Sequence, residues 1–209
     1  MAAQLEYRPF QDEDFDAVAR ILQGLWHDDR ESEVYNRLET GEDLTSSLMR
    51  STFALTAVLD GAPVGFVSAS AGTADPVWSA RWTAANASHF SQMEAMDPAA
   101  CADHLRFIRI EHAANARMER EAGLAGTPQL MLLIADASLR GKGVGRSLFA
   151  ATLERLRAMG ERRLYLATDS CCNWRFYEAV GMHRAVTYLT LPEEQNVLAD
   201  ETYLYAMDL

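Results

Sequence analysis

Apolar positions along the chain change period several times, and each change marks an element. Residues 5–8 read as a short strand, and behind Asp12, a residue suited to cap a helix, Phe15, Val18, Ile21, Leu22 and Leu25 recur at helical spacing. Residues 31–50 predict a second helix, broken or bent at Gly41. Two apolar, β-branched runs, 53–59 and 64–70, flank Asp60-Gly61, a dipeptide favoured in tight turns, and predict a β-hairpin. Helical patterns follow over 84–96 and 98–122, the second carrying Leu105, Ile108 and His112 with Arg106, Arg109, Arg117 and Arg120. The run 130–135 is continuously apolar and predicts a buried strand. Leu148, Phe149, Thr152, Leu153, Leu156 and Met159 then define a helix, with Gly160 where a helix end favours a left-handed residue. Residues 163–167 predict a strand, 172–180 a helix ended by Gly181, 183–189 a strand, and 202–207 a last strand antiparallel to it.

This alternation implies an α/β fold with a mixed sheet, and 209 residues that are 49% hydrophobic suit one domain over 1–209. The interval 71–129 between hairpin and apolar strand is too long for a bare loop, so it should hold its two helices as an inserted unit. Residues 1–10 show no apolar leader, and no run approaches the roughly 18 apolar residues of a membrane span, so a soluble, cytoplasmic protein is expected. Cys101, Cys171 and Cys172 form neither a disulfide framework nor a zinc spacing, so reduced thiols and no metal site are expected.

A formal charge of −11 argues against non-specific nucleic-acid binding. Its distribution is uneven. Residues 139–163 hold seven cations (140, 142, 146, 155, 157, 162 and 163) and two acids, a local +5 that leaves −16 for the remainder. An anionic ligand would be drawn to the first region and a cationic acceptor to the second, unless the acidic surface serves solubility alone. Lys142 is the sole lysine beside eighteen arginines.

The densest chemistry lies within those cations, in Arg140-Gly141-Lys142-Gly143-Val144-Gly145-Arg146 between the apolar strand and its helix. Glycines let several N–H groups converge on one anion, and a helix N-terminus adds unpaired donors and about half a positive charge. The site is therefore suited to a pyrophosphate. No glycine precedes Lys-Ser or Lys-Thr, which excludes the Walker pattern, and Gly141-x-Gly143-x-Gly145 places its third glycine one residue early for dinucleotide binding.

What remains is Arg140-x-x-Gly143-x-Gly145, followed by Asn173-Trp174-Arg175-Phe176-Tyr177-Glu178-Ala179-Val180-Gly181-Met182. The two blocks together resemble the GCN5-related N-acetyltransferase (GNAT) superfamily, with Met182 in place of the usual Phe. The resemblance covers residues 130–184, and residues 72–128 lie outside it. It implies a mostly antiparallel sheet flanked by helices, with about 72–128 as a helical insertion before the coenzyme-binding strand. It implies acetyl-CoA as donor and an amine, small-molecule or peptide and here expected to be cationic, as acceptor. The pyrophosphate would be held by Arg140, Gly141, Lys142, Gly143, Val144, Gly145, Arg146 and Ser147, and the pantetheine by the strand end Ile134, Ala135 and Asp136. That strand would splay from the strand over 163–167 to admit the pantetheine. Phe176 and Asn173 would line the coenzyme, although Asn173 is equally suited to cap a helix.

Tyr177 matches the position of the family's general acid; a phenol of ordinary pKa about 10 stays protonated at neutral pH and can reprotonate a thiolate of about 8.5. A packed core tyrosine is the alternative reading. The base is open. The strand 130–135 has no ionisable residue, Asp136 suits a turn cap, and Glu94, His89, His104, Glu111 and His112 in the insertion are candidates beside a water chain. Direct transfer in a ternary complex is the expected reaction; a non-catalytic acyl-CoA-binding or protein-interaction module is the other function these residues allow. A homodimer through the C-terminal strands would cover an exposed sheet edge.

Overall fold

The structure, a computed structural model, describes residues 5–27 and 30–209, so the leader-free reading of residues 1–10 falls in part on residues 1–4, outside the described residues. Seven strands form one sheet: β1 (Leu5–Pro9), β2 (Phe53–Leu59), β3 (Ala62–Ser70), β4 (Gln129–Ala135), β5 (Arg163–Asp169), β6 (His183–Leu189) and β7 (Glu201–Asp208). Their spatial order is β1-β2-β3-β4-β5-β7-β6, antiparallel throughout except for β4 beside β5. The helices are α1 (Phe15–Trp26), α2 (Glu33–Arg50), α3 (Pro76–Met96), α4 (Pro98–Ala122), α5 (Val144–Ala158) and α6 (Arg175–Ala179). Among the described residues no helix is long and apolar enough to cross a membrane.

The predicted hairpin forms as β2 and β3. Asp60 and Gly61 both adopt positive φ, 50° and 84°, which the mirror-image turns of tight hairpins require. One sheet face packs Leu132 and Ile134 of β4 and Phe66 of β3 against Val18 and Leu22 of α1, Leu44 and Leu48 of α2 and Trp82 of α3. The other packs Leu164 and Leu166 of β5 against Val144, Leu148 and Leu156 of α5. Gly65 permits that approach, since a Cβ there would lie 3.0 Å from both Val144 and Leu148 side chains. The insertion extends the first face: Ala114 and Met118 of α4 pack on Tyr165, Leu204, Ala206, Val186 and Tyr188.

Several expectations change in detail. Asp12 does not cap α1; the chain first makes a short 3-10 turn over Asp12–Asp14, and the inward acid is Asp14. Burial alone would raise its carboxyl, but a two-pronged Arg8 pair, the Gln11 N–H and the Thr56 hydroxyl outweigh burial and hold it below the usual range. Gly41 does not break α2: a Cβ there would stand 2.4 Å from the His89 ring, so the glycine serves the close packing of α2 on α3. α3 starts at Pro76 rather than 84, where Asp75 accepts the Val77 and Trp78 N–H groups. β4 is not buried on both sides, for Leu130, Leu132 and Ile134 are buried while Met131, Leu133 and Ala135 are half-buried. The predicted helix over 172–180 shrinks to Arg175–Ala179, preceded by turns that the Asp169 carboxylate organises by accepting the Cys171 and Cys172 N–H groups.

Candidate active site

β4 and β5 are paired in register at Gln129↔Tyr165, near their N-terminal ends. On its other side β4 stays paired with β3 up to Gly65↔Ala135, with a register shift that leaves Met131 as an extra residue opposite Ser68 and Ala69. Such a bulge bends a strand and interrupts its pairing. Beyond Gln129↔Tyr165 β4 and β5 share no ladder pair, which leaves a gap between them on the side of the glycine loop.

The edge of β4 that faces this gap follows from strand geometry. Asp136 donates its N–H to the Val64 carbonyl at 2.9 Å, so Asp136 and Val64 are a hydrogen-bonded antiparallel pair. Because such pairs alternate, Ile134 and Leu132 also direct their main-chain groups at β3, and Leu133 and Ala135 direct theirs into the gap. Of the three residues expected to hold the pantetheine, Ala135 presents its main chain to the gap, while Ile134 and Asp136 direct theirs to β3; Leu133 also faces the gap. Strand alternation marks Leu133 once the paired edge is known, and sequence alone does not reveal that edge.

At the far end of the gap the chain turns through Ala137–Leu139 into the loop. Asp136 accepts the Ser138 N–H at 2.8 Å, and hydrogen bonding to Ser138 holds its carboxyl below the usual range, which suits a turn cap and not a proton acceptor. Gly141 and Gly143 take φ of 82° and 85°, left-handed values that glycine adopts without strain. Lys142 N–H returns to the Leu139 carbonyl and Ser147 N–H to that of Gly143. The N–H groups of Gly141, Gly143, Val144, Gly145 and Arg146 have no protein acceptor among the described residues. Five donors thus converge around the start of α5, together with the exposed Arg140 and Lys142 side chains. Val144 contributes its N–H only, because its side chain is buried in the core. The Arg146 guanidinium reaches the Ala179 carbonyl at 3.4 Å, tying α5 to α6.

α6 closes over this face. Phe176 packs edge-on to Phe149 at 6.1 Å and lies 3.9 Å from where a Gly145 Cβ would be. Tyr177 stands beside Phe176 and Tyr205, with ring centroids 5.3 and 6.0 Å away, and its hydroxyl has no hydrogen bond among the described residues. Burial, then the neighbouring Cys172, push its phenol above the ordinary value. Asn173 is exposed ahead of the short helix, and its carbonyl accepts the Phe176 N–H. The Cys172 thiol is pushed up to about 12 by burial and by Asp169, so it stays protonated.

On the opposite sheet face, where β4 meets β5, a pocket of about 140 Å³ is lined by Arg50, His112, Asn115, Ala116, Glu119, Gln129, Tyr165, Ala167 and Leu204. The larger cleft, about 390 Å³ beside Arg20, Pro63 and Asp136, lies between α1 and the hairpin. Of the five titratable candidates in the insertion, His112 lines the smaller pocket and Glu111 stands next to it in sequence. His104 instead is buried against Glu42 and Glu39 at 2.8 and 3.4 Å, His89 packs on Gly41 and Phe15, and Glu94 is exposed. Burial first, then repulsion from Asp43, raise the Glu111 carboxyl to about 7 against the pull of Arg50, with Asp169 and Glu42 adding to the rise. Arg50, Asn115, Glu119, Gln129 and Tyr165 were not anticipated. One signal was legible: His112, Asn115, Ala116 and Glu119 form a stripe at helical spacing beside the buried Ala114 and Met118.

Comparison with known proteins agrees with this geometry. No curated protein matches the sequence significantly. A model of the acetyltransferase (GNAT) family matches residues 113–182, which run from α4 through β4, the loop, α5, β5 and α6. Among solved structures, a protein from Desulfovibrio desulfuricans assigned to the GNAT family is 15% identical over 98% of this chain and 99% of its own, with a TM-score of 0.57. The ribosomal-protein-S18-alanine N-acetyltransferase of Escherichia coli is 13% identical over 98% and 94%, with a TM-score of 0.56. An aminoglycoside 6′-N-acetyltransferase complexed with coenzyme A is 14% identical over 97% and 96%, at 0.55. At such identities these likenesses speak for the fold, and the family model speaks for the loop and its flanks. Taken with the single β4–β5 pair and the donor-lined helix start, they show a fold shared with these acetyltransferases and a segment, residues 113–182, that matches the acetyltransferase (GNAT) family.

Proposed function

We propose that the protein transfers the acetyl group of acetyl-CoA directly to a primary amine of a small molecule or peptide, within a ternary complex. The observation that carries this is the gap between β4 and β5 ending at five unpaired N–H groups, a slot for an extended chain with an anion seat at its mouth. The pyrophosphate sits on Gly141, Gly143, Val144, Gly145 and Arg146, with Arg140 and Lys142 adding charge and Ser147 bracing the first turn. The pantetheine amides pair with Leu133 and Ala135, while Ile134 and Asp136 hold the shape of the strand. Phe176 and Asn173 border the coenzyme.

The thioester then lies in the gap, with the acceptor reaching it from the α4 side. The ammonium gives one proton to Glu111 and the neutral nitrogen attacks the carbonyl carbon; the C–N bond forms, the C–S bond breaks, the departing thiolate takes the Tyr177 proton, and the second nitrogen proton, lost as the amide forms, restores the phenol. Burial keeps Tyr177 protonated, and the same dry surroundings raise the proton affinity of the thiolate. The protonated Cys172 supports direct transfer over an acyl-cysteine intermediate. Asp43, Glu42 and Glu111 favour a cationic acceptor, and a homodimer would pair the β6 edge of the sheet.

An amine panel with acetyl-CoA, read by thiol release, tests this. Amine-dependent release is expected, and Tyr177→Phe should lower kcat by about 10- to 1000-fold with little change in coenzyme affinity. Coenzyme binding without turnover of any amine, together with no effect of Tyr177→Phe, would instead identify a non-catalytic acyl-CoA-binding module.

A further inference from the structure

α6 is five residues long and no side chain caps it, so it is too short to hold its own shape in water. Its orientation matters, because the Tyr177 hydroxyl has no hydrogen bond among the described residues and packing alone directs the phenol. The polar hold on α6 comes from β6 and β7. Arg184 of β6 donates to the Tyr205 hydroxyl of β7 from both Nε and Nη2, at 3.0 and 2.8 Å. That hydroxyl donates in turn to Glu178 Oε1 at 2.8 Å, which completes its two acceptor sites and one donor, and Arg184 Nη2 reaches the same carboxylate oxygen at 3.3 Å. The guanidinium also lies 3.8 Å from the Tyr203 ring centroid and 4.8 Å from that of Trp174. One planar cation therefore grips Trp174 before Tyr177 in the chain and Glu178 after it. It also fixes the buried Tyr205, whose ring centroid stands 6.0 Å from that of Tyr177.

We propose that Arg184 is a positioning residue for proton transfer: by holding Tyr205, Glu178 and Trp174 it sets the rotation of α6, and with it the direction in which Tyr177 presents its proton. The inference rests on the acetyltransferase reading above, with Tyr177 as the acid. Successive helical residues point about 100° apart, so a Glu178 held on β7 leaves the neighbouring Tyr177 a defined direction. The packing of Phe176 on Phe149 ties α6 to α5, and the Arg184 cluster ties it to β7; two anchors fix a rotation that one would leave free. Nε and Nη2 of Arg184 are engaged within the cluster, so it acts through the phenol.

The test is a double-mutant cycle in kcat, with the full chain, acetyl-CoA and the best amine of the panel. Arg184→Met, which keeps a long side chain between the rings and removes the donors, should lower kcat about 10- to 100-fold and by no more than Tyr177→Phe does, the scale on which a reacting group displaced by about 1 Å loses rate. The KM for the amine and the Kd for acetyl-CoA should stay close to wild type. In the Tyr177→Phe background the same substitution should cause no further loss, because no phenol is left to aim. Tyr205→Phe, which lacks only the hydroxyl, should reproduce the loss without adding to that of Arg184→Met, and it carries the test alone if Arg184→Met fails to fold. Arg175→Met removes a cation that stacks on the same Trp174 ring at 4.2 Å and should leave kcat unchanged. Equal losses with and without the Tyr177 hydroxyl, a loss expressed in coenzyme Kd, a loss shared by Arg175→Met, or full activity of Arg184→Met and Tyr205→Phe would overturn the inference and leave the acetyltransferase reading standing. Wild-type kcat in Tyr177→Phe would overturn it together with the acid assignment, and coenzyme binding with no amine turned over would remove the acetyltransferase reading itself.

Discussion

Glu111 is the residue at which environment and chemistry meet most closely. Burial first, then the charges of Asp43, Asp169 and Glu42 against that of Arg50, push its carboxyl up to about 7, with His112 adjacent on its own helix. A proton acceptor must be ionised, so kcat/KM should rise with pH through about 7 and level off above it. Glu111→Gln should lower the plateau about 10- to 100-fold and remove that limb of the profile. Stability should move the other way. The folded pKa lies above the unfolded value, so the native state holds the proton more tightly, and the group detracts from stability as pH rises from about 4.5 through 7. At pH 8 Glu111→Gln should therefore be more stable than wild type, by on the order of 1–2 kcal/mol after allowance for partial exposure, as read by urea unfolding. Loss of activity with loss of stability at pH 8 would mark a structural role. Little of this was legible beforehand: Glu111 stood among five equal candidates, and what separates it from His104 is the buried Glu39 and Glu42 pair that His104 meets across α2.

Among the elements, the junction of α2 with α3 shows how the insertion is anchored. Gly41 sits mid-helix, where glycine costs about 1 kcal/mol relative to alanine, and keeps that place because the His89 ring fills the space of a Cβ. Gly41→Ala should destabilise by about 1–3 kcal/mol despite its better helix propensity, and His89→Ala should relieve most of that loss, giving a clear coupling in a double-mutant cycle of thermal unfolding. Additive effects would mean that the ring moves aside freely. A glycine in a helical stretch read as a break because sequence shows the missing side chain and hides what occupies its space. The strands, the hairpin and α4 were legible because their periods and turn residues agree with one another. The start of α3 was obscured because Ser79, Arg81 and Thr83 interrupt the apolar stripe of Trp78 and Trp82, although Asp75-Pro76 marks it. α6 was overextended because Asp169 diverts the Cys171 and Cys172 N–H groups into a turn.

Over the whole molecule, the cationic loop and the acidic α2–α4 region lie on opposite sheet faces, the sides to which the proposed function assigns donor and acceptor. The cations of 139–163 gather around the loop and α5, whereas Glu39, Glu42, Asp43 and Glu111 lie on the α2–α4 side, within a chain of net −11. Coenzyme A binding should therefore weaken with ionic strength, its Kd rising about three- to tenfold between 50 and 500 mM salt, as screening removes the attraction of Arg140 and Lys142. A salt-independent Kd would leave the main-chain donors as the whole of the anion site. The loop was plain from sequence because glycines and cations are its chemistry. The gap was not, since a bulge at Met131 and the single parallel neighbour of β4 arise only when the strands are assembled. Residue-resolved amide hydrogen exchange with and without coenzyme A tests the arrangement most directly. The amides of Leu133, Ala135, Gly141, Gly143, Val144, Gly145 and Arg146 should exchange readily in the free protein and become protected in the complex, while Ile134 and Asp136, already bonded to β3, should be slow in both. Protection confined to the cleft beside α1, or none along β4, would contradict it.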